Sequence, residues 1–159
     1  MKTIVIGSDH AGFKLKEKLK EVLNKNSYKV VDVGTDSEES VDYPDYAVKV
    51  GEKVSKSKDS FDIAGILVCG SGIGMSIAAN KVPGIRAALC RDKLDAEMSR
   101  KHNNANIVCL GERVSSDEKA VKIVKKFLAT EFDGNKKDGD RHKRRADKFK
   151  EIENKYSKC

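Results

Sequence analysis

Cys69 opens the segment Cys69-Gly70-Ser71-Gly72-Ile73-Gly74, and this order of residue types suits moving a proton beside bound negative charge. Glycines at alternate positions let backbone N–H groups converge on an anion, and a helix starting after the loop adds its positive end. A thiol at such a place has a depressed pKa and can act as base or nucleophile. The plainer reading of Cys69 is a buried structural thiol. The loop is not a dinucleotide fingerprint, which needs G-x-G-x-x-G after the first strand. Nor is it a P-loop, since no Gly-Lys-Ser/Thr follows.

Three more places offer groups of the same kind. Gly7-Ser8-Asp9-His10-Ala11-Gly12 presents a carboxylate and a titratable ring, although Asp9 alone also reads as a helix cap. His102 precedes the polar run Asn103-Asn104-Ala105-Asn106, and Gly111-Glu112-Arg113 ends in a cation. Arg141 and Arg145 lie four residues apart in a basic run. On a helix they share a face, and guanidinium forks match phosphate oxygens; the plainer reading is a solvated basic face. Acid–base groups with a phosphate clamp, and without a redox cofactor motif, suggest proton transfer on a sugar phosphate.

The elements that must position these residues follow from hydrophobic periodicity. Short apolar runs at residues 3–6, 30–33, 63–69, 85–90 and 105–110 predict strands buried on both faces. Between them the apolar spacing is helical. Leu15, Leu19, Val22 and Leu23 form one stripe, Tyr43, Ala47, Val50 and Val54 a second. Ala120, Val121, Ile123, Val124, Phe127 and Leu128 form the clearest. Ser115 and Glu118 predict a capping box at the start of that last helix. Alternation of this kind gives an α/β fold: a three-layer, doubly wound, Rossmann-like five-stranded parallel sheet with a C-terminal helix over about 141–156. Residues 1–132 form the α/β domain, and 133–159 a basic tail belonging to it, joined by a polar hinge at 134–139. Ligands in such sheets bind beyond the carboxyl ends of the strands. This reading therefore collects Asp9, His10, Cys69 with its loop, His102, Arg113 and the tail arginines at one sheet edge.

Composition narrows the function classes. The chain has 159 residues with a formal net charge of +7, and residues 133–159 hold 10 Lys/Arg against 6 Asp/Glu. A local basic surplus suggests an anionic partner. A nucleic-acid-binding role for the tail is disfavoured, because aromatics are only 6%, Trp is absent and no recognition motif is present. No apolar run approaches the ~18 residues of a membrane span, and the start does not read as a signal peptide, so a cytoplasmic enzyme is expected. The cysteines at 69, 90, 109 and 159 contain no C-x-x-C and no zinc spacing. Neither a disulfide framework nor a structural metal is expected.

Several long motifs, in order, resemble one family. They are Gly7-Ser8-Asp9-His10-Ala11-Gly12, Asp42-Tyr43-Pro44-Asp45-Tyr46-Ala47, Cys69 through Lys81, Gly84-Ile85-Arg86-Ala87-Ala88, His102-Asn103-Asn104-Ala105-Asn106 and Leu110-Gly111-Glu112-Arg113. The chain resembles the ribose-5-phosphate isomerase B family, within the group that includes the galactose-6-phosphate isomerase subunits. The likeness runs through residue 128 and resumes at 141–145.

The resemblance implies interconversion of ribose 5-phosphate and ribulose 5-phosphate through an enediolate, with neither metal nor organic cofactor. It implies Cys69 as the base between C2 and C1, and His102 as the group assisting ring opening. Gly70, Ser71, Gly72, Ile73 and Gly74 would supply amides to the enediolate oxygens, with Ser71 close to the transferred proton. Asp9 and Asn103 would hold sugar hydroxyls, and His10, Arg113, Arg141 and Arg145 the phosphate. Family members are homodimers or homotetramers with sites shared between two subunits. One branch uses a Glu where this chain has Met75, which supports Cys69 as base here. The chain departs from the family in the extra stretch Asn135-Lys136-Lys137-Asp138, which puts the path of Arg141 and Arg145 in question. Cys159 is expected to be an exposed terminal thiol. A hexose 6-phosphate, of allose or galactose type, is the rival substrate.

Overall fold

A computed structural model describes residues 2–56 and 62–156; Cys159 lies outside the described residues. Five strands, β1 (Thr3–Ser8), β2 (Lys29–Asp32), β3 (Ile63–Cys69), β4 (Ala87–Leu89) and β5 (Ile107–Gly111), alternate with α1 (Phe13–Lys25), α2 (Tyr43–Ser55), α3 (Ile73–Ala79), α4 (Lys93–Asn103) and α5 (Asp117–Ala129). A last helix, α6 (Asp140–Tyr156), follows. The sheet is all parallel in the order β2-β1-β3-β5-β4, so the predicted fold class holds. Among the described residues no helix is long and apolar enough to cross a membrane.

Alternation along the strands divides the core into two layers. Ile4 and Ile6, Ala64, Ile66 and Val68, and Val108 and Leu110 pack with α1, α4 and α5. Val5, Leu67 and Cys69, and Ile107 and Cys109 pack with α2 and α3 on the other face. Only the central strands are buried on both faces. The edge strands β2 and β4 are partly exposed, because each has a neighbour on one side only, and β4 is shorter than its apolar run suggests. Most of the helix stripes are buried, but on α1 it is Lys16, not Val22, that is buried, and Tyr43 at the start of α2 is 40% exposed. The cap of α5 is Ser116, one residue later than predicted, with its hydroxyl accepting from Lys119 N–H. The expected hinge contains a 3₁₀ turn at Asp133–Asn135, and α6 packs against it and against α4.

Lys16 is 1% exposed, which a cation tolerates only when paired. Its ammonium lies 2.6 Å from Asp32 and 2.7 Å from Glu17, tying α1 to the end of β2. Burial pushes the Asp32 carboxyl up, but hydrogen bonds from Lys16, Lys20 and Gly34 N–H outweigh it and hold the group below its ordinary value. Its contribution is therefore present at neutral pH and is lost only as pH falls through that lowered value. Asp32→Asn is expected to cost about 2–4 kcal/mol, because it strips a partner from a buried ammonium; Lys16→Met removes the charge itself and is expected to cost less. Thermal unfolding of the two variants checks the ranking, and an Asp32→Asn variant as stable as the parent would show the pair to be idle.

Candidate active site

The strand order places a switch point between β1 and β3. The chain leaves β1 toward β2 on one side and leaves β3 toward β4 on the other, which opens a crevice at their carboxyl ends. Ser8 and Val68 are paired across this ladder, so Asp9 and Cys69 stand side by side at its mouth.

Cys69 ends β3 and is 5% exposed. The N–H of Gly72 donates to its Sγ at 3.1 Å, a contact that orients the sulfur. Gly72 has φ +79, and a Cβ there would meet Leu89 Cδ1 at 2.6 Å and the Leu110 carbonyl carbon at 2.9 Å. Only glycine fits both the backbone angle and the space. Ser71 Oγ accepts from Ile73 N–H at 3.3 Å. The helix that follows, α3, is only seven residues long, so the loop amides rather than a long helix carry the local positive potential. Met75 is completely buried behind the loop.

Asp9 is also buried, at 5% exposure, and its Oδ1 accepts from Gly12 N–H at 3.1 Å. It is thus the cap of the 3₁₀ turn His10–Gly12 and a carboxylate at the crevice mouth at once. Burial pushes its carboxyl above the ordinary value, opposed by His10, the N–H groups of Ala11 and Gly12, and Arg113. His10 Nδ1 accepts from Val41 N–H at 3.2 Å, which leaves Nε2 free to donate to a ligand. Arg113 N–H donates to Gly70 O at 3.0 Å, and its side chain lies over Gly70, where a Cβ would be 3.3 Å from its Cδ, Nε and Cζ. Glu112 fixes this corner by accepting from Leu15 N–H at 2.9 Å.

Tyr43 belongs to this group and escaped the sequence reading, which assigned it to the buried stripe of α2. It stands in the first turn of α2, 40% exposed, with its ring so close to Gly74 that a Cβ there would be 2.7 Å away. Its place beside Pro44 at a helix start, at the end of a loop leaving the carboxyl edge, was the available signal.

The other candidate residues lie elsewhere. In a parallel sheet each connecting helix runs back against the strands. His102 and Asn103, in the last turn of α4, are therefore at the amino edge, a few residues before β5. The expectation of a single edge fails for them, and for Arg141 and Arg145 in the opening turns of α6, which packs against α4. His102 stacks on His142, with ring centroids 4.5 Å apart and planes 8° off parallel. Burial pushes the His142 imidazole below its ordinary value, with His102 and Arg141 adding to the effect. Arg100 anchors the end of α4 from inside: it is 1% exposed, donates to Thr130 O at 3.2 Å and Asn104 Oδ1 at 3.0 Å, and faces the Phe127 ring. The candidate residues of one chain thus fall into two groups, Asp9, His10, Cys69 and Arg113 at the carboxyl edge and His102, Asn103, Arg141 and Arg145 at the amino edge.

The remaining described thiols are unsuited to proton transfer. Burial pushes Cys90 up to about 12 and Cys109 well above its ordinary value.

Residues 4–149 match the family model described as Ribose/Galactose Isomerase. The chain is 40% identical over 153 residues to ribose-5-phosphate isomerase B of Escherichia coli, covering 96% of this chain and 97% of that one. Among solved structures it is similar to ribose-5-phosphate isomerase B of Clostridium thermocellum, at TM-score 0.89 and 50% identity over 97% of this chain and 99% of that one. The Mycoplasma genitalium ribose-5-phosphate isomerase B, solved with bound ribulose-5-phosphate, gives TM-score 0.88 and 42% identity over 96% of each chain.

Proposed function

The chain belongs to the Ribose/Galactose Isomerase family, and we propose that it interconverts D-ribose 5-phosphate and D-ribulose 5-phosphate, with Cys69 as the base. The observation that carries this reading is the Cys69 sulfur held by Gly72 N–H at 3.1 Å, at the head of a glycine loop that shares its edge with Asp9, His10 and Arg113.

In this mechanism His102 assists opening of the furanose ring, and the Cys69 thiolate takes the proton from C2 of the open-chain aldose. The electron pair moves into an enediolate whose oxygens face the amides of Gly70 to Gly74. The thiol then returns the proton to C1 while the O2 hydroxyl proton passes to O1, giving the ketose; Ser71 lies beside this transfer. Asp9 and Asn103 hold sugar hydroxyls. His10, Arg113, Arg141 and Arg145 hold the phosphate. No metal or organic cofactor enters a step.

The half-sites at opposite edges support an assembly in which a second copy supplies the missing half, as a homodimer or a homotetramer. Tyr43, Ile73, Ile77 and Val114 are exposed by 40–60% around the Cys69 half-site, an apolar rim suited to cover by that copy. The enzyme is assigned to the cytoplasm.

Purified protein assayed on ribose 5-phosphate, allose 6-phosphate and galactose 6-phosphate with EDTA present tests the reading. Ribose-selective turnover is expected. Turnover on a hexose phosphate alone would keep the chemistry and replace the substrate, and none on any of the three would overturn the assignment.

A further inference from the structure

We propose that His102, Asp133 and His142 form a binding site for a divalent transition metal such as Ni²⁺ or Zn²⁺. The candidate donor atoms of the three side chains lie within 4.8 Å of one another, and all three residues are half-buried. They come from three elements packed together: the last turn of α4, the 3₁₀ turn Asp133–Asn135 and the first turn of α6. His142 Nδ1 is buried and has no hydrogen-bond partner among the described residues, an expense that a ligated metal would remove.

Two imidazoles and a carboxylate suit borderline ions rather than Mg²⁺ or Ca²⁺. Zn²⁺ takes these ligands at about 2.0–2.2 Å in tetrahedral array, which sets the donors roughly 3.3 Å apart, and Ni²⁺ takes the same donor types in a square or tetragonal array. The His102 and His142 rings, stacked 4.5 Å apart, must turn out of that stack, and the Asp133 carboxylate must turn with them, for the donors to converge from 4.8 Å on one ion. The Asp133 carboxylate is engaged by Lys136 at 2.6 Å. The Lys136 side chain is 58% exposed, so the ion displaces it into solvent. Lys101, Arg141 and Arg145 also surround the site and keep its affinity modest. The site is distinct from any cofactor role.

Occupancy would hold His102 in place as a ligand, so the ion inhibits the isomerase. This consequence, unlike binding itself, rests on the ring-opening role proposed for His102. The test is calorimetric titration of the full chain with Ni²⁺, beside isomerase assays with Ni²⁺ and then excess EDTA. One ion per chain is expected, with reversible inhibition. Asp133→Asn is expected to keep the uninhibited activity while weakening both binding and inhibition by about tenfold or more; His142→Asn is the second variant, read by binding alone. No saturable binding, or binding unchanged in both variants, would overturn the site. Binding without inhibition would leave the site standing and remove His102 from ring opening.

Discussion

Cys69→Ala is expected to lower kcat on ribose 5-phosphate by about 10³-fold, the range a positioned general base contributes, with KM little changed. The groups that hold the substrate, Asp9, His10 and Arg113 on the same edge, do not depend on the sulfur for their positions: Asp9 is fixed by Gly12 N–H, His10 by Val41 N–H and Arg113 by Gly70 O. The thiol is buried but small, and its removal is expected to cost about 1 kcal/mol of stability, so the variant folds. Cys69→Ser separates base chemistry from shape. Its hydroxyl fills the space and accepts from Gly72 N–H, but it is too weak an acid to provide an anionic base near neutral pH, and it is expected to be as inactive as alanine. Cys109→Ala is the opposite control. Cys109 is fully buried in the same core layer, so its loss is expected to lower the melting temperature and spare kcat. Steady-state kinetics with thermal unfolding on the three variants decides the matter. A Cys69→Ala enzyme within tenfold of the parent kcat would remove the thiol from the chemistry.

The carboxyl-edge half of the site was legible because its residues directly follow strands. Apolar runs mark β1 and β3, so Asp9 and Cys69 are placed as soon as the strands are. Arg113 follows β5 in the same way. His102 was misplaced for a physical reason. It was read from the polar loop after it, whereas its position is set by the direction of α4, and a helix between parallel strands delivers its last turn to the far edge. Periodicity also hides single exceptions. Lys16 occupies a buried slot on α1 because Asp32, sixteen residues away, neutralises it, and Tyr43 leaves its stripe because Gly74 has no side chain to exclude the ring. Both depend on a partner distant in sequence. The pairing of His102 with His142 depends on the packing of α6, which carries no buried residue of its own and thus no strong apolar stripe to announce where it docks.

Mixing two inactive variants is expected to restore activity. His102→Asn is expected to be nearly inactive on the ring-closed sugar, as Cys69→Ala is on any form of it. In a symmetric pair of chains, each complete site draws its carboxyl-edge half from one subunit and its amino-edge half from the other. A hybrid of the two variants then contains one site carrying both substitutions and one carrying neither. Random exchange makes half of the pairs hybrid, so the mixture regains about a quarter of parental activity. A site within one chain predicts none, because every chain then carries a damaged site. The two readings therefore differ by the whole signal, and protein that has been unfolded together and refolded together ensures exchange. A mixture that stays inactive, while size measurements show hybrids present, would mean that the amino-edge residues serve no site on the partner. His102, Arg141 and Arg145 would then lose their proposed roles, while Cys69, Asp9 and Arg113 would keep theirs.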